Sequence, residues 1–168
     1  NPLFAGQDCV YLRTHQMIPA AMKIEDHYRK LERLYLCANV QQLFSGSSIQ
    51  VTQRSAEITL PVDPKYSHGA QAIHGATYFK LLDDAAYFAV ASLVTDVFIV
   101  TSSFQINLLR PVTGGTLKAI GSVRSVSKNL FVAEATLYND KGKEVAFGTG
   151  QFMRTTQPWE TLDGYKLN

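Results

Sequence analysis

Apolar and polar positions keep different rhythms in different parts of this chain. Over 24–44, Ile24, Tyr28, Leu31, Leu34, Tyr35, Ala38 and Leu43 recur near a 3.6-residue period, with Glu25, Arg29, Lys30, Glu32 and Arg33 between them. That pattern predicts an amphipathic helix. Ser45-Gly46-Ser47-Ser48 would end it, with Gly46 suited to a C-terminal cap. Alternation follows: Ile49 and Val51 against Gln50 and Thr52, then Ala56, Ile58, Leu60 and Val62 against Glu57, Thr59 and Pro61, which predicts two short strands. A turn-rich loop occupies Asp63 to about Ile73. Residues 77–94 are apolar on nearly every side, rich in Ala and free of Gly and Pro, as a buried helix would be. Yet this segment carries Lys80, Asp83 and Asp84 in its first half.

Residues 98–110, 117–126, 130–138 and 144–154 read as strands. Asn139-Asp140-Lys141-Gly142 is a hairpin signal, with Gly where φ must be positive. Four strands joined by tight turns predict an antiparallel meander, which buries one face and needs a cover. Only the helix at 77–94 is apolar enough to supply it. The expected fold is α+β: a long curved antiparallel sheet wrapped around one central helix, with an additional N-terminal helix. The expected domain spans 22–155, after an irregular extension over 1–21 with Pro2, Gly6 and Pro19, and before a tail over 156–168.

Composition narrows the class. The 168 residues are 46% hydrophobic and only 18% charged, which excludes a disordered chain. The charged share lies below the ~25% usual for soluble domains, as expected where another copy covers part of the surface. A net charge of +2, scattered along the chain, argues against nucleic acid as a partner. Cys9 and Cys37 stand too far apart, with no CxxC, for a zinc site or a disulfide framework. Two reduced thiols in a cytoplasmic protein are therefore expected. No uncharged apolar run approaches the ~18 residues of a membrane span, so no membrane partner is expected.

Ile73-His74-Gly75-Ala76, followed by Asp83 nine positions after His74 and an Ala-rich helix, resembles the signature of hotdog-fold acyl-CoA thioesterases. The similarity is to the branch containing the phenylacetate-pathway and 4-hydroxybenzoyl-CoA enzymes. FQINLLRPVTGGTLKAIGSV looks like that family's third and fourth strands, and GKEVAFGTGQFM like its last. The resemblance covers about 45–154 and implies hydrolysis of an acyl-CoA thioester, with coenzyme A entering only as part of the substrate and no metal or other cofactor.

In that light Gly75, opening the helix, offers its N–H to a thioester carbonyl where the macrodipole favours negative charge. The bland alternative is a Gly that only tightens a turn. Asp83 would serve as nucleophile or general base, or else simply pair with Lys80, a role that Asp84 at i, i+4 fills better. Gly75 and Asp83 lie eight residues apart, about 12 Å along a helix axis. One carbonyl cannot touch both on the same helix, so a homodimer or homotetramer with shared sites is expected. The resemblance implies a water-holding Ser or Thr ten residues before the strand-end Pro, which is Thr101. It also implies an Asn six residues before the motif His, where this chain has His68, with Gln71 as a substitute. Ala76 replaces a second Gly and narrows the helix start. His74 is read as a hydrogen-bond partner at the substrate site, Tyr87 as an aromatic wall, and Lys128 and Arg110 as contacts for coenzyme A phosphates. The departures at His68 and Ala76 leave a non-catalytic acyl-CoA- or lipid-binding hotdog protein as the alternative. A hotdog hydratase or dehydratase ranks lower, because neither a His-Phe-Pro-Gly-like motif nor a close Asp/His pair is present.

Overall fold

The computed structural model describes residues 20–167. The expected extension over 1–21, with Cys9, falls outside the described residues except for Ala20 and Ala21, which are helical. The chain runs α1 (Ala20–Cys37), β1 (Ser48–Thr52), β2 (Ser55–Pro61), α2 (Gly75–Ala91), β3 (Val97–Leu108), β4 (Thr116–Val126), β5 (Leu130–Tyr138) and β6 (Glu144–Pro158). Short 3-10 helices occupy Asn39–Leu43, Pro64–Tyr66 and Trp159–Thr161. All six strands form one antiparallel sheet in the order β1-β2-β4-β5-β6-β3. This is the hotdog arrangement, with α2 lying along the concave face. Among the described residues no helix is long and apolar enough to cross a membrane.

Three expectations need correction. The four long strands are not one meander: β4, β5 and β6 are consecutive neighbours, but β3 pairs with β6 at the far edge. The link 109–115 is no tight turn. It passes the start of α2, where the Val112 carbonyl accepts the Ile73 N–H, and so carries the chain from one side of the sheet to the other. The N-terminal helix ends at Cys37 rather than near 44, because Ala38 adopts an extended backbone (ψ 133°) before the 3-10 helix begins. Gly46 therefore caps nothing and serves the turn into β1, with φ at +80°. Finally, the expected tail packs into the domain over its described residues, 156–167. Strand β6 runs to Pro158, and Trp159 and Tyr165 are buried. The Trp159 indole N–H donates to the Val94 carbonyl (2.7 Å). His27 of α1 donates from Nε2 to the Ala91 carbonyl (2.9 Å), which can only accept, so its Nδ1 accepts the Tyr165 hydroxyl. Burial lowers the His27 pKa and keeps the ring neutral for this role.

The reason α2 is rich in alanine lies at β4. A Cβ added to Gly121 would stand 2.0 Å from the Ala85 carbonyl oxygen, so helix and strand meet backbone to backbone. Ala85, Ala86 and Ala89 are fully buried in that contact, and Leu81, Leu82 and Val90 fill the space beside it. The hairpin signal at Gly142 also holds, with φ at +69°. We expect Gly121→Val to lower unfolding free energy by about 3 kcal/mol through overpacking. In contrast, Gly69→Ala, where an added Cβ meets nothing within 4 Å, should leave it within about 0.5 kcal/mol. Denaturant melts of the two variants check this. Equal melts would show that α2 can ride up from the sheet without cost.

Candidate active site

Close packing on one side fixes what α2 shows on the other. Gly75, Phe79, Asp83 and Tyr87 recur every four residues and form one stripe, with successive members a turn apart. The stripe faces β3 in antiparallel order. A Cβ on Gly75 would lie 3.5 Å from Leu108 Cδ1, and the Phe79 ring meets Phe104 edge-on at 5.8 Å between centroids. The Thr101 hydroxyl donates to Asp83, and the Tyr87 hydroxyl to the Ile99 carbonyl (3.0 Å). Strict alternation would put Thr101 and Phe104 on opposite faces of β3. A bulge between Thr101 and Ser103 changes the parity, so both face the helix.

Asp83 is half-buried and receives the Thr101 hydroxyl at 3.1 Å on Oδ1 and 3.4 Å on Oδ2. Burial pushes its carboxyl up to about 6. Thr101 and the more distant Lys80 pull it down, and the neighbouring Asp84 adds to the rise. Asp84 takes the competing role foreseen for it, an i, i+4 ion pair with Lys80. The Lys80 ammonium also lies over the rings of Tyr35 (5.0 Å) and Phe44 (5.3 Å). With Lys80 engaged there, Asp83 has a neutral hydroxyl as its direct partner and keeps a raised pKa in a site open to ligand.

At the other end of the stripe, His74 caps α2. Its Nδ1 accepts the Ala76 N–H (3.1 Å), and its carbonyl accepts the Thr77 N–H. The Ala76 and Thr77 donors are thus spent inside the protein. Gly75 supplies the N–H that remains at the helix start. Gly75, His68 and Arg110 line a small cavity of about 290 Å³ beside Tyr78, whose hydroxyl donates to the Arg110 carbonyl (3.1 Å). His68 turns its Nδ1 to the Ala70 N–H and stays exposed. Gln71 is exposed at φ +63°, and Lys128 sits exposed in the turn between β4 and β5; neither lines this cavity or the Asp83 cleft.

Asp83, Thr101 and Tyr87 line a separate and larger cleft of about 850 Å³. Its far walls come from the end of α1, the 3-10 helix after it, and Leu162 to Gly164. Within one chain, then, the predicted residues fall into two groups, Asp83 with Thr101 and Tyr87, and Gly75 with His68 and Arg110. The walls from α1 and the C-terminal segment were missed in the sequence. Aromatic residues outside the resembling segment, Tyr35, Trp159 and Tyr165 among them, are the hints of them there.

The family model described as the Thioesterase superfamily matches residues 70–146, from the loop before Gly75 through β5 to the start of β6. That segment, a little under half of the chain, is similar to the thioesterase superfamily. Its fold is similar to that of the E. coli PaaI protein, encoded in the phenylacetic acid degradation operon: TM-score 0.73, 26% identity, over 80% of this chain and 96% of that one. It is also similar to the Haemophilus influenzae thioesterase HI1161 (TM-score 0.64, 20% identity, 72% and 86% covered). A Staphylococcus aureus thioesterase, SAV0944, aligns with TM-score 0.66 at 19% identity, over 70% and 99%. No curated protein sequence matches the chain significantly. Thioester hydrolysis is the general activity that this superfamily supports, and both residue groups contain members that lie in the matched segment.

In this protein the Asp83 carboxyl should titrate near pH 6, read by carbon NMR of labelled aspartate. Thr101 stabilises the carboxylate, so Thr101→Val should move the midpoint to higher pH. A midpoint at the ordinary aspartate value would mean that water reaches the group freely.

Proposed function

We propose that the protein hydrolyses acyl-CoA thioesters as a homodimer with two equivalent sites, each taking the Gly75 N–H from one chain and Asp83 from the other. The observation that carries this reading is the stripe on α2: an oxyanion donor and a half-buried carboxylate lie about 12 Å apart on one open helix face. A two-fold axis that sets two such helices side by side and antiparallel brings Gly75 of each opposite Asp83 of its mate. Midway between 75 and 83 stands Phe79, 41% exposed for so large a ring. Midway along the facing part of β3 stands Phe104. Both aromatic residues would lie near the axis and form the centre of the interface. Because β3 is the sheet edge, two copies can also join their sheets there.

Asp83 acts as general base, a role suited by a carboxyl raised toward neutral pH. A water beside Thr101 gives its proton to Asp83 and attacks the carbonyl carbon. The carbonyl oxygen takes up the charge, held by the Gly75 N–H and the helix dipole of the other chain. Collapse breaks the carbon–sulfur bond and expels the coenzyme A thiolate. A thiol titrates near 8.5, so the leaving group needs only the proton that Asp83 returns. Arg110, which lines the Gly75 cavity, is the first cation we assign to the phosphate oxygens, and Lys128 is the second.

The test is thiol release from a panel of acyl-CoAs. Asp83→Asn should lower kcat by about 10²- to 10⁴-fold while binding persists. Equal rates in variant and parent would remove Asp83 from the mechanism, and no turnover of any thioester, with ligand still raising the melting temperature, would favour a non-catalytic acyl-binding protein. Light scattering should give at least twice the 18.6 kDa chain mass, and Phe79→Arg should shift that mass toward one chain and remove activity together with it. A monomeric yet fully active protein would overturn the shared site.

A further inference from the structure

Building on the acyl-CoA reading, we infer that the acyl group lies in the cleft between α1 and β3, and that it is a long fatty chain rather than a small aromatic acid. The cleft starts at Asp83 and Thr101, where the carbonyl would be attacked, and shares no lining residue with the Gly75 cavity, whose Arg110 we assign to coenzyme A. We therefore assign the cleft to the acyl side of the substrate.

Size argues first. At about 30 Å³ per heavy atom, the share of one water in the liquid, an aryl-acetyl group of roughly ten heavy atoms would fill about a third of the 850 Å³. A chain of about twelve to sixteen carbons would fill about half, the more usual occupancy of an open cleft by a flexible ligand.

The chemistry of the walls argues second. Tyr87, Phe88 and Phe98 line the inner part, and Leu34, Val40 and Leu162 the outer. The charges in the cleft beyond Asp83 are engaged with one another: Lys80 with Asp84, and Asp163 with Lys166. The Tyr35 hydroxyl is sealed from solvent, so it offers the cleft no hydrogen bond. Gln41 spends its side-chain carbonyl on Ser47. Such walls have no free cation for an acyl group that carries a carboxylate or phenolate, and they reward hydrocarbon. The outer end runs into exposed apolar side chains, Val40 lining it at 44% exposure, with Leu36 and Leu43 flanking in sequence at 51% and 63%. A chain that outgrows the cleft would still find apolar surface there.

The wall that α1 and the C-terminal segment supply is held firmly. Gly164 packs against Leu34 so tightly that a Cβ there would lie 2.9 Å from its Cδ1. The bonds from His27 to Tyr165 and Ala91 tie the same segment to the end of α2. The outer wall of the cleft is thus built from parts outside the hotdog core.

The experiment is a profile of kcat/KM against chain length, from acetyl- to palmitoyl-CoA below their micellar concentrations, with benzoyl- and phenylacetyl-CoA beside them. Each buried methylene is worth up to roughly a three- to fourfold gain. We therefore expect kcat/KM to rise at least tenfold from four to twelve carbons and the aryl thioesters to fall below the optimum. Ala38→Trp places a bulky ring in the outer cleft. It should cut the long-chain value at least tenfold and move the optimum to shorter chains. The parent profile tests the inference even if that variant folds poorly. Preference for aryl or short acyl groups, or an optimum that Ala38→Trp leaves in place, would overturn this inference alone. No turnover of any thioester would overturn the acyl-CoA reading and this one with it.

Discussion

Everything in the site depends on how closely α2 lies on β4. With the Ala85 carbonyl occupying the place of a side chain at Gly121, the helix can neither rotate nor slide without a steric clash. Once its alanine side is committed to the sheet, the opposite side has only one direction to face. Gly75, Phe79, Asp83 and Tyr87 are aligned along β3 because small residues elsewhere leave no other orientation. A larger residue at 121 would disturb the chemistry by moving a helix, without touching any group in the site.

The same contact explains how two adjacent carboxylates acquire different characters. Asp83 and Asp84 are about 100° apart around the helix. The i, i+4 geometry gives Lys80 to Asp84, and two aromatic rings hold the ammonium in place. Asp84 thus has a full countercharge. Asp83 is left with a neutral hydroxyl, partial burial and a negative neighbour, conditions that all but the first raise its carboxyl. Burial raises both carboxyls, but only Asp84 has a cation in direct contact to hold its charge, so the two are set apart by their partners.

The central helix was legible because its composition admits one solution: a segment apolar all round must be buried, and polar residues inside it must have work to do. The spacing from His74 to Asp83, and the distance it implies, could be read in the same way. The position of β3 could not. Alternation tells that 98–110 is a strand and which residues share a face, but it carries no information on the neighbour, and the bulge at Ser102 reverses even the facing. The break at Ala38 is equally silent, since the apolar period continues across it while the backbone turns away. The C-terminal wall escaped notice because Trp159, Leu162 and Tyr165 are too sparse to form a period. Trp159 and Tyr165 are held by partners far away in sequence, Val94 and His27.

The two edges of the sheet are treated in opposite ways, and that contrast bears on assembly. Edge β1 is only five residues long and is covered by α1: the Glu32 carboxylate accepts the Val51 N–H (2.7 Å), Arg29 donates to the Val51 carbonyl (3.2 Å), and the two side chains pair with each other. Edge β3 runs for twelve residues, with no charged residue and no proline to discourage pairing. Bare edges of that length invite another strand. A fold that seals one edge with a dedicated ion pair and leaves the longer one open has its free edge beside the Asp83 stripe. In the proposed dimer, closing that edge with a second copy would satisfy the unpaired backbone of β3, cover Phe79, and bring Gly75 of one chain to Asp83 of the other in one step.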